Sequence, residues 1–322
     1  MYQVTSNYMH CPMPSLPPSP TCLAPAVWDY IGYINKGTFG SIFKVVNVST
    51  GMIAAMKMEF DQANLKLLVN EAHHILSINT TLRMDARASH LAKYIPHLLD
   101  RGCLSNGTFY VMPLFGPDLY DLKKMTPIKR FTNWTCYYIL RESLLALLAL
   151  NYCNIVHRDL KPANFVSNFS SDSINDRSLI LIDFGLVSQD SSSSKPYHDH
   201  LEGKTVGTLC YSSVNSQKPN ALPTFIDDLW SAFYISLENF SGTLPWYHIS
   251  DKHQVNQMKE NLNLYQLNVD GYHIPPILFE FFRLLHDKKE HKRIALHEKL
   301  IHLVGCEIKS AMLHESIPLD WE

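Results

Sequence analysis

The sequence lacks a long hydrophobic run. Its longest apolar stretch, residues 144–150, is far shorter than the ~20 residues that a membrane-spanning helix needs. The N-terminus lacks the basic and apolar regions of a secretory signal. We therefore expect no membrane partner, and we expect the protein in the cytoplasm, with the nucleus as a second location.

Neither sign of charge dominates the chain, and its cysteines form no pattern. The sequence has 28 Lys and Arg residues against 30 Asp and Glu residues, so it predicts no nucleic-acid partner. Its seven cysteines include no C-x-x-C pair, which favours reduced thiols over a disulfide framework. A G-x-x-x-x-G-K-[ST] segment is also absent, which excludes a P-loop ATPase.

The first 25 residues differ in composition from the rest of the chain. They hold six prolines, several serines and threonines, and almost no charge. Such a segment cannot offset the entropy cost of ordering, so we predict a disordered Pro-rich tail at 1–25. A polyproline ligand for an adaptor domain stays open as an alternative. The chain of 322 residues with 46% apolar content is long enough for one large domain or two lobes.

The most informative stretch is residues 155–165, with the sequence IVHRDLKPANF. It places Asp159, Lys161 and Asn164 at fixed offsets, and Asp183 follows in the triplet Asp-Phe-Gly. The two segments match the protein-kinase pattern H-R-D-x-x-x-x-N followed by D-F-G. Two motifs in this order and at this separation indicate phosphoryl-transfer chemistry.

A glycine-rich loop at 35–40 lies between two strand-like segments, 30–34 and 42–46. Glycines in such a hairpin let the backbone approach phosphates closely. Asn35 stands where the pattern G-x-G-x-x-G has its first glycine. Asparagine tolerates unusual backbone angles better than most residues do, so this departure leaves nucleotide binding possible.

Lys57 ends the segment Ala-Ala-Met-Lys that follows the hairpin. Its position predicts contact with the α- and β-phosphates of ATP, although a lysine in an apolar strand is otherwise an exposed edge residue. Apolar residues then recur at helical spacing over 65–76. Glu71 lies beside that stripe, either as a solvated residue or, as we predict, as the ion-pair partner of Lys57.

The connector at 113–117 is the predicted adenine site. Pro113 can supply a backbone carbonyl and Phe115 an amide N–H, so the proline removes no needed donor. Met112 either flanks the base or is a core residue. The full set of predicted nucleotide contacts is Asn35, Gly37, Gly40, Ile42, Ala55, Lys57, Glu71, Met112, Pro113, Phe115 and Asp183.

These residues divide the chemistry of phosphoryl transfer, which needs mainly positioning and charge neutralisation. Asp159 is the predicted acceptor of the substrate hydroxyl proton, and Lys161 faces the transferred phosphate. Asn164 and Asp183 are the predicted Mg²⁺ ligands. A lysine two residues after the aspartate favours serine and threonine over tyrosine as acceptors, with Thr208 as the predicted hydrogen-bond partner of Lys161.

The chain resembles the casein kinase 1 group of protein kinases, and within it the tau-tubulin kinases. The resemblance rests on the connector at 114–119 and on Ser-Val-Asn at 213–215, which replaces the usual Ala-Pro-Glu. It also rests on DDLWSAFY at 227–234 and on the segments at 244–246 and 249–255. The resemblance implies an α+β, bilobal protein kinase fold with a five-stranded β lobe and one helix above a mainly helical lobe. It places the N-lobe at 26–113, the C-lobe at 114–315 and a C-terminal tail at 316–322.

The resemblance also implies ATP and Mg²⁺ as cofactors, Asp228 as the anchor of the catalytic loop, and a monomer. Its implied partners are proteins that carry Ser or Thr, cytoskeletal proteins among them. Cys210 departs from the family, which usually has arginine there to bind acidic or pre-phosphorylated substrates. The residues at 224–226 are also uncharged where the family has basic ones. A pseudokinase that serves as a nucleotide-binding scaffold stays open, as does phosphorylation of the serine run at 191–194.

Overall fold

The structure is a computed structural model. It describes residues 28–37, 40–60, 67–104, 107–168, 177–192, 206–267, 274–287, 289, 292–311 and 317–322. The predicted tail at 1–25 and the second half of the serine run lie outside these residues.

The N-terminal lobe is an antiparallel sheet of five strands in the order β1-β2-β3-β5-β4. The strands are β1 (Trp28–Gly37), β2 (Gly40–Asn47), β3 (Ile53–Phe60), β4 (Asp100–Leu104) and β5 (Gly107–Pro113). The predicted five-stranded lobe is therefore confirmed. β3 lies at the centre of the sheet, and its residues 54–59 are buried, which is why this strand reads as an almost continuous apolar run around Lys57.

One long helix, α1 (Leu68–Met84), packs against this sheet. Its buried residues Leu68, Ala72, Ile75 and Leu82 recur at intervals of three, four and seven positions, which is the spacing of one helix face. Glu71 precedes Ala72 on the same buried side. The helix therefore carries a carboxylate into the interior, toward β3.

The C-terminal lobe is mostly helical, as predicted. Its long helices are α2 (Leu119–Met125), α3 (Asn133–Tyr152), α4 (Phe225–Ser241), α5 (Lys252–Glu260), α6 (Pro276–His286) and α7 (Arg293–Ser310). The apolar residues Ile139, Leu144, Leu147 and Leu148 predict a long helix at 134–152, and this helix corresponds to α3. The sequence also predicts a helix at 295–304. α7 extends beyond this range at both ends, and its buried residues Leu296, Leu300, Val304 and Ile308 recur every four positions.

Four short strands frame the two sequence motifs. β6 (Ile155–Val156) pairs with β9 (Ser188–Gln189), and β7 (Phe165–Ser167) pairs with β8 (Leu179–Leu181). The segment between β6 and β7 contains Asp159, and the segment between β8 and β9 contains Asp183. The two antiparallel pairs therefore hold these segments side by side.

Residues 317–322 pack on the start of α3. The indole N–H of Trp134 donates to the Ile317 carbonyl at 2.9 Å, and Leu319 is buried. The Asp320 carboxylate accepts from the backbone N–H of Thr132, which precedes α3. The predicted domain boundaries stay a prediction. Within the described residues, no helix combines the length and the apolar character that a membrane crossing requires.

Candidate active site

Lys57 and Glu71 form a buried ion pair between β3 and α1. The Lys57 ammonium lies 2.9 and 2.8 Å from the two Glu71 carboxylate oxygens, and the Glu71 side chain is completely buried. The Tyr110 hydroxyl of β5 donates to the same carboxylate at 3.0 Å. Because a buried charge is costly unless it is paired and hydrogen-bonded, these contacts fix both side chains.

Asp183 brings the C-terminal lobe into this cluster. Its carboxylate lies 2.9 Å from the Lys57 ammonium, and the backbone N–H of Phe184 donates to Glu71 at 3.2 Å. Asp183 adopts a left-handed conformation with φ 68° and ψ 69°, which is strained for a residue with a Cβ. Phe184 is fully buried and packs edge-on against His157. This packing keeps the Asp183 carboxylate turned toward Lys57.

The pKa values of the cluster follow from burial and charge. Burial disfavours the Lys57 ammonium, but the negative charges around it prevail and raise the pKa of Lys57 well above its usual value. The pKa of Asp183 is lowered, because Lys57 outweighs the burial of this carboxyl. Burial raises the pKa of Glu71, while its hydrogen-bond donors favour the carboxylate. Lys57 therefore stays charged and holds Asp183 ionised.

Asp228 anchors the catalytic loop from the first turn of α4. Its two carboxylate oxygens accept the backbone N–H groups of His157 at 2.6 Å and Arg158 at 3.0 Å. Arg158 has a positive φ of 70°, so its backbone conformation needs such support. Burial raises the pKa of Asp228 to about 7. The anchor explains why the first turn of this helix carries a buried acid.

Asp159 is held on both carboxylate oxygens. The Lys161 ammonium lies 2.7 Å from one oxygen, and the Thr208 hydroxyl donates to the other at 2.7 Å. The Asn164 amide donates to the Asp159 carbonyl at 2.8 Å. The expectation that Thr208 hydrogen-bonds to Lys161 is corrected: the two side chains meet on the Asp159 carboxylate, because a carboxylate can accept from two sides at once.

Gly207 allows Thr208 to reach this position. It has a φ of +93°, and a Cβ at this position would collide with the Arg158 carbonyl. Only glycine fits a positive φ and such close backbone contact without strain. Sequence reasoning missed this role, although a glycine directly before Thr208 was a usable signal. Tyr110 was missed as well, because a buried tyrosine in a strand has no distinguishing pattern.

The predicted adenine-side residues lie where the sheet meets the connector. Ala55 pairs with Met112 and Ala54 with Pro113 in the β3–β5 register, and Phe115 follows in the connector. Ala55 and Met112 are buried, whereas Pro113 and Phe115 are partly exposed. Partly exposed residues at the connector are compatible with the predicted carbonyl and amide contacts to a base.

Strand pairing, a local hydrogen bond and close backbone packing account for the residues of the β1–β2 hairpin. Ile42 pairs with Lys57 across β2 and β3, while Asn35 and Gly37 lie in β1. Asn35 has no positive φ; its side chain accepts from the backbone N–H of Lys36 at 2.7 Å. At Gly40, an added Cβ would lie 2.5 Å from the Met58 carbonyl. Gly40 is therefore required by strand packing alone, and the loop's contact with phosphates stays a prediction.

The donor set near Asp183 fits one hard divalent cation that is completed by phosphates. Among the described residues, no group of three or more His, Cys, Asp or Glu side chains could hold a metal ion by itself. Mg²⁺ is commonly bound by one or two protein oxygens together with substrate phosphates. Asp183 offers a carboxylate, and the Asn164 amide nitrogen is occupied by Asp159, which leaves its oxygen as the ligand atom.

The Ser-Val-Asn triplet connects the Thr208 segment to α4. The Ser213 hydroxyl donates to the Asp227 carboxylate at 2.5 Å, and the Asn215 amide donates to it at 3.3 Å. The other Asp227 oxygen accepts the backbone N–H of Thr224 at 2.8 Å, which completes a capping box at the start of α4. The triplet therefore docks onto a helix cap next to the Asp228 anchor.

A lysine-glutamate pair in the β lobe, a left-handed aspartate below it and an anchored catalytic loop define the protein kinase class. The chain belongs to the family described as protein kinase domain, whose profile matches residues 28–304.

Three curated relatives extend this comparison. The chain is 28% identical over 296 residues to a probable serine/threonine-protein kinase of Dictyostelium discoideum. This alignment covers 92% of this chain and 56% of the relative. The chain is 29% identical over 300 residues to a putative casein kinase I of Caenorhabditis elegans, and this alignment covers 92% of this chain and 83% of the relative. It is 29% identical over 259 residues to a probable casein kinase I homolog of Encephalitozoon cuniculi, and this alignment covers 78% of this chain and 75% of the relative. The match thus spans little more than half of the Dictyostelium relative.

Proposed function

We propose that this protein is an active serine/threonine protein kinase that transfers the γ-phosphate of ATP, with Mg²⁺, to Ser and Thr hydroxyls of protein substrates. The observation that carries the proposal is the Asp159 carboxylate, which is fixed by Lys161 on one oxygen and by Thr208 on the other. This geometry places the proposed proton acceptor, Asp159, next to the Lys161 ammonium, which is suited to bind a phosphate. It also connects Asp159 to the segment that follows Gly207.

Each side chain has one task in this proposal. Lys57, fixed by Glu71, orients the α- and β-phosphates, and Asp159 accepts the proton of the acceptor hydroxyl. Lys161 faces the transferred phosphate, where its positive charge offsets the charge of the phosphate oxygens. Asn164 and Asp183 hold Mg²⁺. When bound, ATP supplies the phosphoryl group, and the metal ion neutralises part of its charge.

The subgroup is proposed as casein kinase 1, with the tau-tubulin kinases as the most similar branch. Two of the curated relatives carry casein kinase I in their names, and the docking of Ser-Val-Asn on Asp227 gives the unusual triplet a structural task. Cytoskeletal proteins as substrates, a monomeric state and a location in the cytoplasm or nucleus are part of this proposal.

The test compares phosphate incorporation by the wild type and Asp183→Asn. Both are purified in parallel and given labelled ATP, Mg²⁺ and a Ser/Thr peptide mixture. We expect the variant to lose at least about a hundredfold in rate, because it lacks the ionised metal ligand. A matched control, Asp85→Asn, alters a partly exposed carboxylate that pairs with Arg87 and should retain full activity. Equal incorporation by wild type and Asp183→Asn would refute the assignment.

The second candidate is a pseudokinase that acts as a nucleotide-binding scaffold. Asn35 favours the scaffold function. It replaces the first glycine of the loop pattern with a side chain, and that side chain accepts from the backbone N–H of Lys36 in the same strand. The same assay separates the two functions. A scaffold would bind ATP in a fluorescence titration and transfer no phosphate, whereas the proposed enzyme does both.

A further inference from the structure

The residues at 208–212 fold into one tight turn that begins at Thr208. The Thr208 carbonyl accepts the backbone N–H groups of Tyr211 and Ser212, each at 2.9 Å. The Thr208 hydroxyl donates to the Asp159 carboxylate at 2.7 Å. Because Thr208 takes part in both contacts, the position of the turn sets the position of this hydroxyl on the proposed proton acceptor.

Lys259 of α5 binds this turn from the protein interior. Its ammonium donates to the carbonyls of Leu209 and Ser212, each at 2.7 Å. The first carbonyl belongs to the residue directly after Thr208, and the second lies at the end of the turn. Carbonyls at the C-terminal end of a helical turn have no partner within it, and a cation there is favourable. Lys259 therefore fixes the turn at two points.

Lys259 is buried without an anionic partner. It is 3% exposed, and its ammonium lies 4.8 Å from the Tyr234 ring and 5.5 Å from the Trp246 ring. In the part of the chain that the structure describes, no carboxylate lies within salt-bridge distance of it. The Cys210 thiol, next to Leu209 along the chain, supplies no anion either, because burial raises its pKa to about 11.

An unpaired buried charge is costly, and burial accordingly lowers the pKa of Lys259 to about 7. A methionine of similar length would fill the same place without this cost. The contribution that only the ammonium makes here is its pair of hydrogen bonds to the turn, together with its contacts to the two aromatic rings.

Two further side chains support the same turn. The indole N–H of Trp246 donates to the Cys210 carbonyl at 2.8 Å, and Trp246 is 1% exposed. The Tyr211 hydroxyl donates to the buried Glu238 carboxylate of α4 at 2.6 Å. Three carbonyls and one side chain of the turn are thus bound from α4, from α5 and from the segment between these helices.

We propose that Lys259 is a positioning residue for phosphoryl transfer, with Trp246 as the second donor in this task. Lys259 holds the turn at 208–212 and thereby keeps the Thr208 hydroxyl on Asp159. The inference rests on the kinase function proposed above. A displacement of about 1 Å far from the chemistry can lower turnover by about a hundredfold, so the loss of this anchor should appear in kcat.

The experiment is a double-mutant cycle on the full chain with Lys259→Met, Thr208→Ala and the variant that carries both. The measured quantities are kcat and the KM for ATP, with Mg²⁺ and a Ser/Thr peptide mixture. We expect Lys259→Met to lower kcat about tenfold or more and to change the KM for ATP less than about twofold, because the Lys57–Glu71 pair is unaltered.

The double variant shows whether Lys259 acts through Thr208. Once the Thr208 hydroxyl is gone, loss of the anchor has no further hydrogen bond to displace from Asp159. The double variant should therefore have the kcat of Thr208→Ala to within about twofold, whereas independent effects on kcat would multiply.

Two variants of the same helix are the controls. Val255→Ala removes apolar volume from a buried position of α5, so it lowers the melting temperature without touching the turn. Its kcat should stay within about twofold of the wild type at a temperature where the protein is folded. Lys252→Met removes an exposed lysine of α5 and should behave like the wild type. Thermal unfolding curves establish that each variant is folded in the assay.

Trp246→Phe is the second position for the cycle. It keeps an aromatic ring but removes the N–H that binds the Cys210 carbonyl. If Lys259→Met does not give a folded protein, Trp246→Phe replaces it, and the same comparison with Thr208→Ala decides.

The outcomes separate the two proposals. An unchanged kcat in Lys259→Met, or losses in kcat that multiply in the double variant, overturns the inference and leaves the kinase function intact. A loss of kcat in Val255→Ala as large as that in Lys259→Met also overturns it, because destabilisation would then account for both. Failure of the wild type to phosphorylate any peptide above the Asp183→Asn background overturns the kinase function and this inference together.

Discussion

At the scale of single residues, Asp159 has a double role. One carboxylate oxygen faces Lys161 and the other accepts from Thr208. The group that accepts a proton is therefore also the group that positions the segment beside the acceptor. If the segment that contains Thr208 moves away, Asp159 loses a hydrogen bond. Catalysis and substrate placement therefore depend on each other.

Lys57→Met is expected to lower turnover by about two or more orders of magnitude and to leave the fold intact. Methionine fills a similar volume in the sheet but cannot hold Asp183 or contact phosphates. The measurement is kcat with a peptide substrate together with a circular dichroism spectrum. Lys44→Met, in the neighbouring strand β2, is the control and should behave like wild type. Normal turnover in Lys57→Met would contradict the role given to Lys57.

Gly207→Ala is expected to lower kcat/KM about tenfold or more, because the new Cβ collides with the Arg158 carbonyl and moves Thr208 from Asp159. Gly305→Ala, at a helix position with open space around it, is the matched control. Steady-state kinetics on both variants measures the difference. If the two glycine variants perform equally, the close packing at Gly207 does not matter for catalysis.

Some residues of the candidate site and its surroundings could be predicted from the sequence, and others could not. Asp159, Asn164 and Asp183 were predicted because they occur at fixed offsets within two motifs. Lys259 could not be predicted, since its partners are backbone carbonyls about 50 residues away in the chain. The Thr208 error has the same origin: the motif shows which residues meet, but not which atom receives the hydrogen bond.

At the scale of elements, the packing of α7 on α3 contains a buried histidine. His297 is 1% exposed, and its Nδ1 atom lies 3.0 Å from the Asn151 amide and 3.1 Å from the Arg293 carbonyl. Burial lowers the pKa of His297 to about 4, and the Arg293 guanidinium contributes. The folded protein thus keeps this ring neutral under conditions in which an unfolded chain would protonate it.

The free energy of unfolding is therefore expected to decrease as the pH falls from about 6.5 toward 4. In this range the unfolded state binds the proton and the folded state does not, so the group stabilises the fold at higher pH. The loss attributable to His297 is about 3 kcal/mol. Denaturant unfolding at pH 7 and pH 4.5 should show a smaller decrease in His297→Gln than in the wild type. Equal decreases in both proteins would contradict the prediction.

Element boundaries were only partly predictable. α3 was found almost completely because its buried residues dominate the helix, and the five strands followed from the family motifs. α7 continues past the predicted range to the buried Ile308, and it begins before that range at Arg293, which donates to the Asn151 carbonyl at 3.1 Å. A local pattern does not contain such contacts.

At the scale of the whole molecule, an ion pair and a hydrogen bond join the two lobes at the candidate active site. Lys57 of the β lobe binds Asp183 of the helical lobe at 2.9 Å, and Phe184 donates to Glu71 at 3.2 Å. The two lobes thus share the cluster at which nucleotide is proposed to bind. The five-stranded lobe and its position above a helical lobe were available from the resemblance to a kinase and not from any periodicity in the sequence; the strand order was not predicted.

Mg²⁺ with ATP is expected to raise the melting temperature of the wild type by several degrees. A ligand at a hundred times its dissociation constant stabilises the folded state by about 2.7 kcal/mol. Differential scanning fluorimetry with and without EDTA measures the shift. Asp183→Asn should lose the part of the shift that depends on Mg²⁺, and Lys57→Met most of the whole shift. No shift in the wild type at millimolar nucleotide would contradict the nucleotide site.

The protonated state of Cys210 also bears on covalent inhibitor chemistry. With a pKa of about 11, fewer than about one thiol in a thousand is a thiolate at neutral pH, and the thiolate is the reactive form. Acrylamides and other mild electrophiles should therefore label the exposed Cys103 and Cys306 before they label Cys210. An irreversible ligand aimed at Cys210 needs tight reversible binding first, so that its electrophile stays against the sulfur long enough to react.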